Sequence, residues 1–269
     1  MIVFVRMAVD LEGGCRVSLL REGSPREHGT VRVFQQIGRA NGAVAISLRV
    51  LEVAPGRSPW LGGAACDEVL YVFEGKGMLR FDGGSQPIGP DASIYIPPGA
   101  RFDILNSEPM TIVSSRCPDP GESAPMATGG GPPRVVRLDD CKSEETGDRW
   151  YRVLIGGAGS ARDGRRPQAG ASIDHHVGSA QVTQFVGAIP PGRAPDHYHE
   201  YEEVLCLLSG RGRMWAGDKS TPIERGSCIY LPRRQVHCVE NTGDSELRLL
   251  GVFYPSGSPA VRYFGGAGS

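Results

Sequence analysis

Residues 192–210 read GRAPDHYHEYEEVLCLLSG, and they carry the most informative pattern of the chain. Its His197, His199 and Glu203 occupy positions of the same parity, so on a β-strand their side chains leave the same face. Two imidazoles and one carboxylate on one face make most of a metal site, and a second strand needs to bring only one more ligand. His237 is the obvious candidate for that ligand. Imidazole suits zinc, copper, iron and nickel, and the carboxylate keeps manganese possible.

Residues 226–241 read GSCIYLPRRQVHCVEN and carry His237. Together with residues 192–210 they resemble the two motifs of the cupin superfamily, in which a glycine, a His-x-His pair and a glutamate are followed by a proline and a later histidine. Two positions depart from that pattern: the spacer after Gly192 is one residue short, and Arg234 stands where the second motif has glycine. The resemblance implies a small double-sheet β-barrel, a jelly roll, with a metal at its mouth held by His197, His199, Glu203 and His237.

The chain also contains an internal repeat. DEVLYVFEGKG at 67–77 matches EEVLCLLSGRG at 202–212, and SIYIPPGARFDILN at 93–106 matches CIYLPRRQVHCVEN at 228–241. The offset is 135 residues for three matched pairs: Glu68 with Glu203, Pro97 with Pro232, and Asn106 with Asn241. Two copies of one β unit predict an all-β protein of two tandem cupin barrels, a bicupin. We expect a first barrel over 1–117, a proline- and glycine-rich linker over 118–133, and a second barrel over 134–269.

The first copy of the repeat lacks the metal ligands. Its register places them on unsuitable residues: His197 near Leu61 or Gly62, His199 on Ala64, and His237 on Phe102. A phenyl ring there would fill the space of a metal, so we expect a packed, metal-free first barrel that serves packing or dimerisation. Of the four ligand positions only Glu68 is kept, and it would need Arg57 or Arg101 as a partner, or access to solvent at the barrel mouth.

Residues on the ligands' face are candidates for the pocket. Leu205 and Leu207 continue the parity of Glu203 inward, which predicts an apolar pocket floor. Tyr201 also shares that face and is our candidate catalytic residue, against the alternative of a surface tyrosine at a strand entrance. An apolar floor beneath a cationic metal favours a small substrate with a chelating oxygen end and a flat or aliphatic body.

The cupin resemblance implies several activities: dioxygenases of oxygenated aromatics or diketones, decarboxylases of small acids, sugar isomerases, and ureidoglycine aminohydrolase, which is also a bicupin. Our leading hypothesis is a metal-dependent oxidoreductase of the dioxygenase type that acts on a small oxygenated organic substrate. The alternatives are a non-redox metalloenzyme, such as an aminohydrolase or a decarboxylase, and a binding module without turnover. We expect one divalent transition metal per chain (Mn, Fe, Ni, Zn or Cu, with Mn or Fe favoured), held in the second barrel.

Composition limits the partners and the compartment. The 38 glycines and 21 prolines in 269 residues suit short strands joined by turns, including a hairpin predicted at Gly75 and Gly77. A net charge of −1 gives no basic excess for nucleic acid and no polybasic patch for a membrane. The start, MIVFVRMAVDLEGG, lacks the features of a signal peptide, and the seven cysteines form no Cys-x-x-Cys pair. We therefore expect a cytoplasmic protein with reduced thiols and a small-molecule substrate, and we predict a homodimer.

Overall fold

The computed structural model describes residues 8–121, 125–127, 129–156, 179 and 181–260, so parts of the predicted apolar start and linker lie outside the described residues. Through the first repeat the strands are β1 (Val9–Asp10), β2 (Arg16–Leu19), β3 (Arg26–His28), β4 (Val31–Ile37), β5 (Leu48–Val53), β6 (Gly56–Arg57), β7 (Leu61–Gly62), β8 (Asp67–Glu74), β9 (Gly77–Phe81), β10 (Gly84–Ile88), β11 (Ala92–Ile96), β12 (Arg101–Asn106) and β13 (Met110–Cys117). Beyond it they are β14 (Arg134–Arg137), β15 (Glu144–Thr146), β16 (Arg149–Ile155), β17 (Thr183–Ile189), β18 (Gly192–Arg193), β19 (Glu202–Ser209), β20 (Arg211–Ala216), β21 (Lys219–Glu224), β22 (Ser227–Leu231), β23 (His237–Asn241) and β24 (Leu247–Tyr254). Short 3-10 turns lie at Glu12–Gly14, Arg39–Asn41 and Leu138–Asp140, and within the described ranges no helix is long and apolar enough to span a membrane.

The strands form two barrels, each a sandwich of a larger and a smaller sheet. In the first barrel the order β14-β11-β8-β13-β5-β4-β3 faces β10-β9-β12-β6, with β7 also paired to β12. In the second barrel the order β1-β2-β22-β19-β24-β17-β16-β15 faces β18-β23-β20-β21. Strands matched by the repeat occupy matching places, β8 with β19, β11 with β22 and β12 with β23. The predicted all-β fold of two tandem jelly-roll barrels is therefore confirmed.

Each large sheet is extended by a strand from the other half of the sequence. β2 pairs with β22 of the second barrel, where Val17 lies opposite Ile229. In return, β14 pairs with β11 of the first barrel, where Val135 lies opposite Ile94. An apolar cluster that includes residues of both β8 and β19 also lies between the barrels. Shared strands and an apolar interface thus join the two barrels, while the boundaries expected at residues 117 and 134 stay predictions.

The glycine-rich turn after β8 carries the chain from one sheet to the other. β8 lies in the seven-stranded sheet and β9 in the smaller sheet, and β8 pairs with β11 and β13 instead. The hairpin predicted at Gly75 and Gly77 is therefore wrong. Gly75 has φ +81, and a Cβ there would lie 2.4 Å from the Pro109 carbonyl oxygen. Close backbone approach at a sheet crossing, and not a two-residue hairpin loop, requires this glycine.

Strand β19 separates two cores by the alternation of its side chains. Val204 and Cys206 belong to the cluster between the barrels. Leu205 and Leu207 point the other way, into the interior of the second barrel. This confirms the inward orientation predicted for both leucines from the parity of Glu203.

Candidate metal centre

Two segments bring three histidines together in the second barrel. His197 and His199 lie between β18 and β19, and His237 begins β23 in the smaller sheet. His197 and His237 exchange two backbone hydrogen bonds, with N···O distances of 3.0 and 2.8 Å. One ring nitrogen from each of the three histidines lies within 4.8 Å of the others, and all three residues are buried. The backbone bridge therefore places side chains from two distant motifs next to each other.

Hydrogen bonds to carbonyl groups fix the orientation of two of these rings. His197 Nδ1 lies 3.0 Å from the carbonyl oxygen of Pro195, and His237 Nδ1 lies 2.7 Å from that of Gln235. Because a carbonyl oxygen can only accept, each Nδ1 carries the hydrogen and donates it. A neutral imidazole then keeps its lone pair on Nε2, which is the arrangement that metal-binding histidines use.

Glu203, the carboxylate predicted for the site, lies next to one of the three histidines. It is buried in β19, and its Oε2 lies 3.7 Å from His199 Nε2. Two donors that each sit about 2.1 Å from one ion are at most about 4.2 Å apart, so the three imidazoles would share an ion after small inward shifts. Buried, convergent nitrogen and oxygen donors with set tautomers fit a divalent transition metal. The role of these four residues as ligands stays a prediction.

The turn before His237 keeps the shape of a glycine turn although Arg234 occupies it. Arg234 has φ +63, and Gly99, its match in the first repeat, has φ +79. The Arg234 backbone N–H donates to the His199 carbonyl oxygen at 2.7 Å, and its Nε lies 2.9 Å from Glu200 Oε2. The departure from the motif therefore leaves the local turn intact and ties it to the His199 segment.

A cavity of about 90 Å³ opens beside the three histidines. At roughly 10–15 Å³ per water, that is room for a small organic ligand. Its wall is mainly apolar and is formed by Thr146, Arg149, Trp150, Tyr151, Phe185, Gly187, Ala188, Ile189, Ala194, His197, His199, Tyr201, Glu203, Leu205, His237, Val239, Leu249 and Pro259. Leu205 is part of this wall, whereas Leu207 belongs to the core cluster of the same barrel. The apolar floor therefore includes Leu205 but not Leu207.

Tyr201 lies on the ligands' side of the strand, as its parity predicts. It is 9% exposed and lines the cavity, so the alternative of a surface tyrosine is wrong. Its ring stacks on His199 at a centroid distance of 4.6 Å and an interplanar angle of 10°. On its other neighbour, Phe253, it stacks at 4.1 Å and 15°. Tyr201 thus holds the His199 ring in a layer of aromatic side chains.

One wall of the cavity comes from residues that the sequence did not single out. Thr146, Arg149 and Tyr151 lie on the β15–β16 hairpin. The alternation of Arg149, Tyr151 and Val153 in RWYRV was available as a signal of one shared face. The alternation shows that these side chains share one face of the strand. It does not show which sheet or cavity that face contacts, so their contact with the site could not be predicted.

Comparison with known proteins agrees with this architecture. Residues 185–253, which hold all four predicted ligands, match the model of the cupin domain. These residues form a cupin domain. Over 66 residues the chain is 35% identical to the oxalate-binding protein of Thermotoga maritima, a match that covers 24% of the chain and 54% of that relative. The chain spans about half the length of the curated relatives it matches.

Solved structures share the fold over both barrels of this chain. Protein Ylba from E. coli superimposes with a TM-score of 0.69 at 11% identity, covering 96% of this chain and 97% of that one. A mutant of the oxalate decarboxylase OxdC from Bacillus subtilis gives a TM-score of 0.65 at 14% identity, covering 90% and 77%. At such identities the likeness shows the fold alone, which is the bicupin fold.

In the first cupin barrel the place of the metal is filled. Leu61 pairs with Phe102 across β7 and β12, as His197 pairs with His237 in the second barrel. Phe102 is fully buried in the barrel interior, which confirms the predicted packing. The repeat left open whether Leu61 or Gly62 matches His197, and the pairing selects Leu61.

Glu68, the match of Glu203, is neutralised by arginines. Both predictions for it are wrong, because it is 3% exposed and its partners are Arg49 and Arg116. Arg49 Nη2 lies 2.5 Å from its Oε1, where Ser114 Oγ also donates at 2.7 Å, and Arg116 Nε lies 3.2 Å from its Oε2. Burial alone would raise the pKa of Glu68, but these partners hold it below its usual value. Arg57 pairs instead with Asp103, and Arg101 lies over the Trp60 ring.

Proposed function

We propose that the chain is a metal-dependent enzyme whose second barrel converts a small oxygen-bearing organic molecule. His197, His199, Glu203 and His237 would hold one divalent transition metal per chain, with Mn or Fe favoured. The observation that carries this proposal is the convergence of the three buried imidazoles beside a small cavity. Such an ion would act as a Lewis acid toward an oxygen donor of the substrate and, if redox-active, would support chemistry with O2.

The protein's own residues would orient the ligands and keep water out. Tyr201 positions the ring of His199 by stacking, and Leu205 and Phe185 contribute to an apolar wall. Tyr151 is held by a hydrogen bond from its hydroxyl to Glu144 Oε2 at 2.6 Å. A dry, shaped site of this kind strengthens the interactions between charged groups inside it.

A dioxygenase-type oxidoreductase is our leading proposal for the reaction. Among the described lining residues, Glu203 is the one carboxylate, and it is a proposed ligand. Hydrolysis would need a further general base to accept a proton at the reacting centre. Chemistry with O2 at the metal needs no such carboxylate, which favours an oxidative reaction over an aminohydrolase.

A decarboxylase is the second candidate. The likeness to an oxalate-binding protein and the shared fold of oxalate decarboxylase favour a small acid as ligand. A non-redox cleavage of such an acid would release CO2 without consuming O2. The third candidate is a protein that binds a small molecule in this cavity without converting it.

A substrate screen on metal-loaded protein separates these candidates. Small hydroxy acids, keto acids and diketones are tested with an oxygen electrode and, in parallel, under argon with detection of CO2. Substrate-dependent O2 uptake that is lost in His237→Ala supports the oxidoreductase. Release of CO2 under argon supports the decarboxylase, and tight binding without turnover supports the module. Wild-type protein that takes up no metal would contradict the proposal in every form.

A further inference from the structure

Arg149 stands at a defined place on the wall of the metal cavity. It begins β16 and pairs with Thr146 of β15 across the two-residue turn formed by Gly147 and Asp148. Tyr151, on the same face of β16, packs into the interior of the second barrel. The hairpin therefore points Arg149 and Thr146 to the cavity, which both residues line.

The guanidinium of Arg149 is mostly buried, and its positive charge has one weak acidic partner in the described structure. The side chain is 10% exposed, and within the described part of the chain its buried Nε has no hydrogen-bond partner. Its ion-pair partner, Asp148, lies 3.5 Å away and is itself 72% exposed, so the pair is weak. A buried charge of this kind is costly unless a partner satisfies it.

Other arginines of the described chain have stronger acceptors for their guanidinium groups, although the Nε atoms of Arg49 and Arg152 also lack a hydrogen-bond partner. Arg49 and Arg116 share Glu68 in the first barrel. Arg152, which lies on the same strand as Arg149, donates to the Leu138 carbonyl oxygen at 3.0 Å. Arg149 differs in that it lines the metal cavity and that its acidic partner in the described structure is the exposed Asp148. An anion in the cavity would supply the acceptor that the protein does not.

The charges of the cavity wall also favour an anion. Among the described lining residues, Arg149 is the one permanently charged cation and Glu203 the one acid. Glu203 would be occupied by the metal, so a bound divalent ion would leave the cavity with a positive excess. Guanidinium binds a carboxylate through two parallel N–H···O bonds, and the Thr146 hydroxyl is nearby to donate another.

We propose that Arg149 binds a carboxylate group of the substrate, so that this bicupin acts on a small organic acid. This inference rests on the proposed function, because it assumes that another oxygen of the acid reaches the metal. The wall between these ends includes Phe185, Ile189 and Leu249, which suits a short apolar body. The cavity volume of about 90 Å³ excludes large acids.

Calorimetric titration with matched acids and amides tests this assignment. The probes are glycolate, 2-hydroxyisobutyrate and oxalate, with glycolamide and 2-hydroxyisobutyramide as neutral counterparts. Metal-loaded wild type should bind at least one acid, and bind its amide more weakly by roughly 10- to 100-fold, because charge-assisted hydrogen bonds are lost. Arg149→Gln should lose a similar factor for the acid only. Arg149→Lys should fall between the two, since lysine keeps the charge but not the fork.

Controls separate this inference from the proposed function. Arg152→Gln makes the same charge change on the same strand outside the cavity and should bind the acids like wild type. Metal content and melting temperature are measured for every variant.

Three results would overturn the role of Arg149 while leaving the metal site in place. They are equal binding of acid and amide by loaded wild type, absence of acid binding, and unchanged acid affinity in Arg149→Gln. The acid-to-amide comparison needs only wild-type protein, so it decides the matter even if Arg149→Gln does not fold. A wild type without metal would instead refute the proposed function.

Discussion

Replacement of Phe102 by alanine should destabilise the protein without affecting the metal site. Phe102 lies in β12 of the first barrel, is fully buried, and packs where the second barrel has His237. Truncation of a buried phenylalanine typically costs about 3–5 kcal/mol, because apolar burial is lost and a cavity remains. With an unfolding entropy of about 2.1 cal/mol/K per residue over a cooperative unit of this size, the melting temperature should fall by roughly 5–9 °C.

The assay is thermal unfolding followed by circular dichroism, together with elemental analysis of the same samples. Leu105→Ala is the matched control, because Leu105 lies on the same strand but is 42% exposed. That control should change the free energy of unfolding by less than about 1 kcal/mol. A Phe102→Ala protein with wild-type stability, or one that folds but has lost its metal, would refute a purely structural role for the first barrel's interior.

Three further substitutions probe the two barrels. Glu68→Gln should lower the free energy of unfolding at pH 7 by roughly 3–5 kcal/mol, because it leaves Arg49 and Arg116 buried and poorly paired. The pKa of Glu68 is lowered in the folded state, so the stabilisation that its carboxylate provides is lost as pH falls. The difference in free energy of unfolding between Glu68→Gln and wild type, measured by denaturant titration, should therefore narrow below about pH 4. Arg234→Gly should raise stability in urea by about 1 kcal/mol by removing a positive φ from a side-chain-bearing residue, and no gain would contradict the strain. Leu205→Ala should lower stability by roughly 2–5 kcal/mol and enlarge the cavity with metal still bound; wild-type stability would contradict its burial.

The residues of the candidate metal site could be found from the sequence because their arrangement depends on short-range spacing. His197, His199 and Glu203 share one parity, and the repeat supplied the register that places Phe102 opposite the position of His237. Strand alternation also oriented Tyr201 and Leu205 correctly. These inferences use side-chain alternation over a few residues and the offset of the repeat, so no knowledge of sheet order was required.

Features that depend on contacts between distant strands were missed. The partners of Glu68 come from β5 and β13, and nothing local in DEVLYVFEG distinguishes Arg49 and Arg116 from Arg57 and Arg101. The turn at Gly75 has the composition of a hairpin loop, yet the barrel uses it to change sheets. Arg149 reaches the cavity only because β16 joins the large sheet beside β17. The order of the strands in the sheets decides these three features, and that order depends on the whole fold.

Metal stoichiometry tests the central claim most directly. Protein purified without an affinity metal and reconstituted with Mn or Fe is analysed for metal per chain by mass spectrometry. We predict one ion per wild-type chain, loss of tight binding in His197→Ala and His237→Ala, and full retention in His28→Ala, where an exposed histidine of the first barrel is removed in the same way. Two ions per wild-type chain, or one ion retained in His237→Ala, would contradict a single site built from the second barrel.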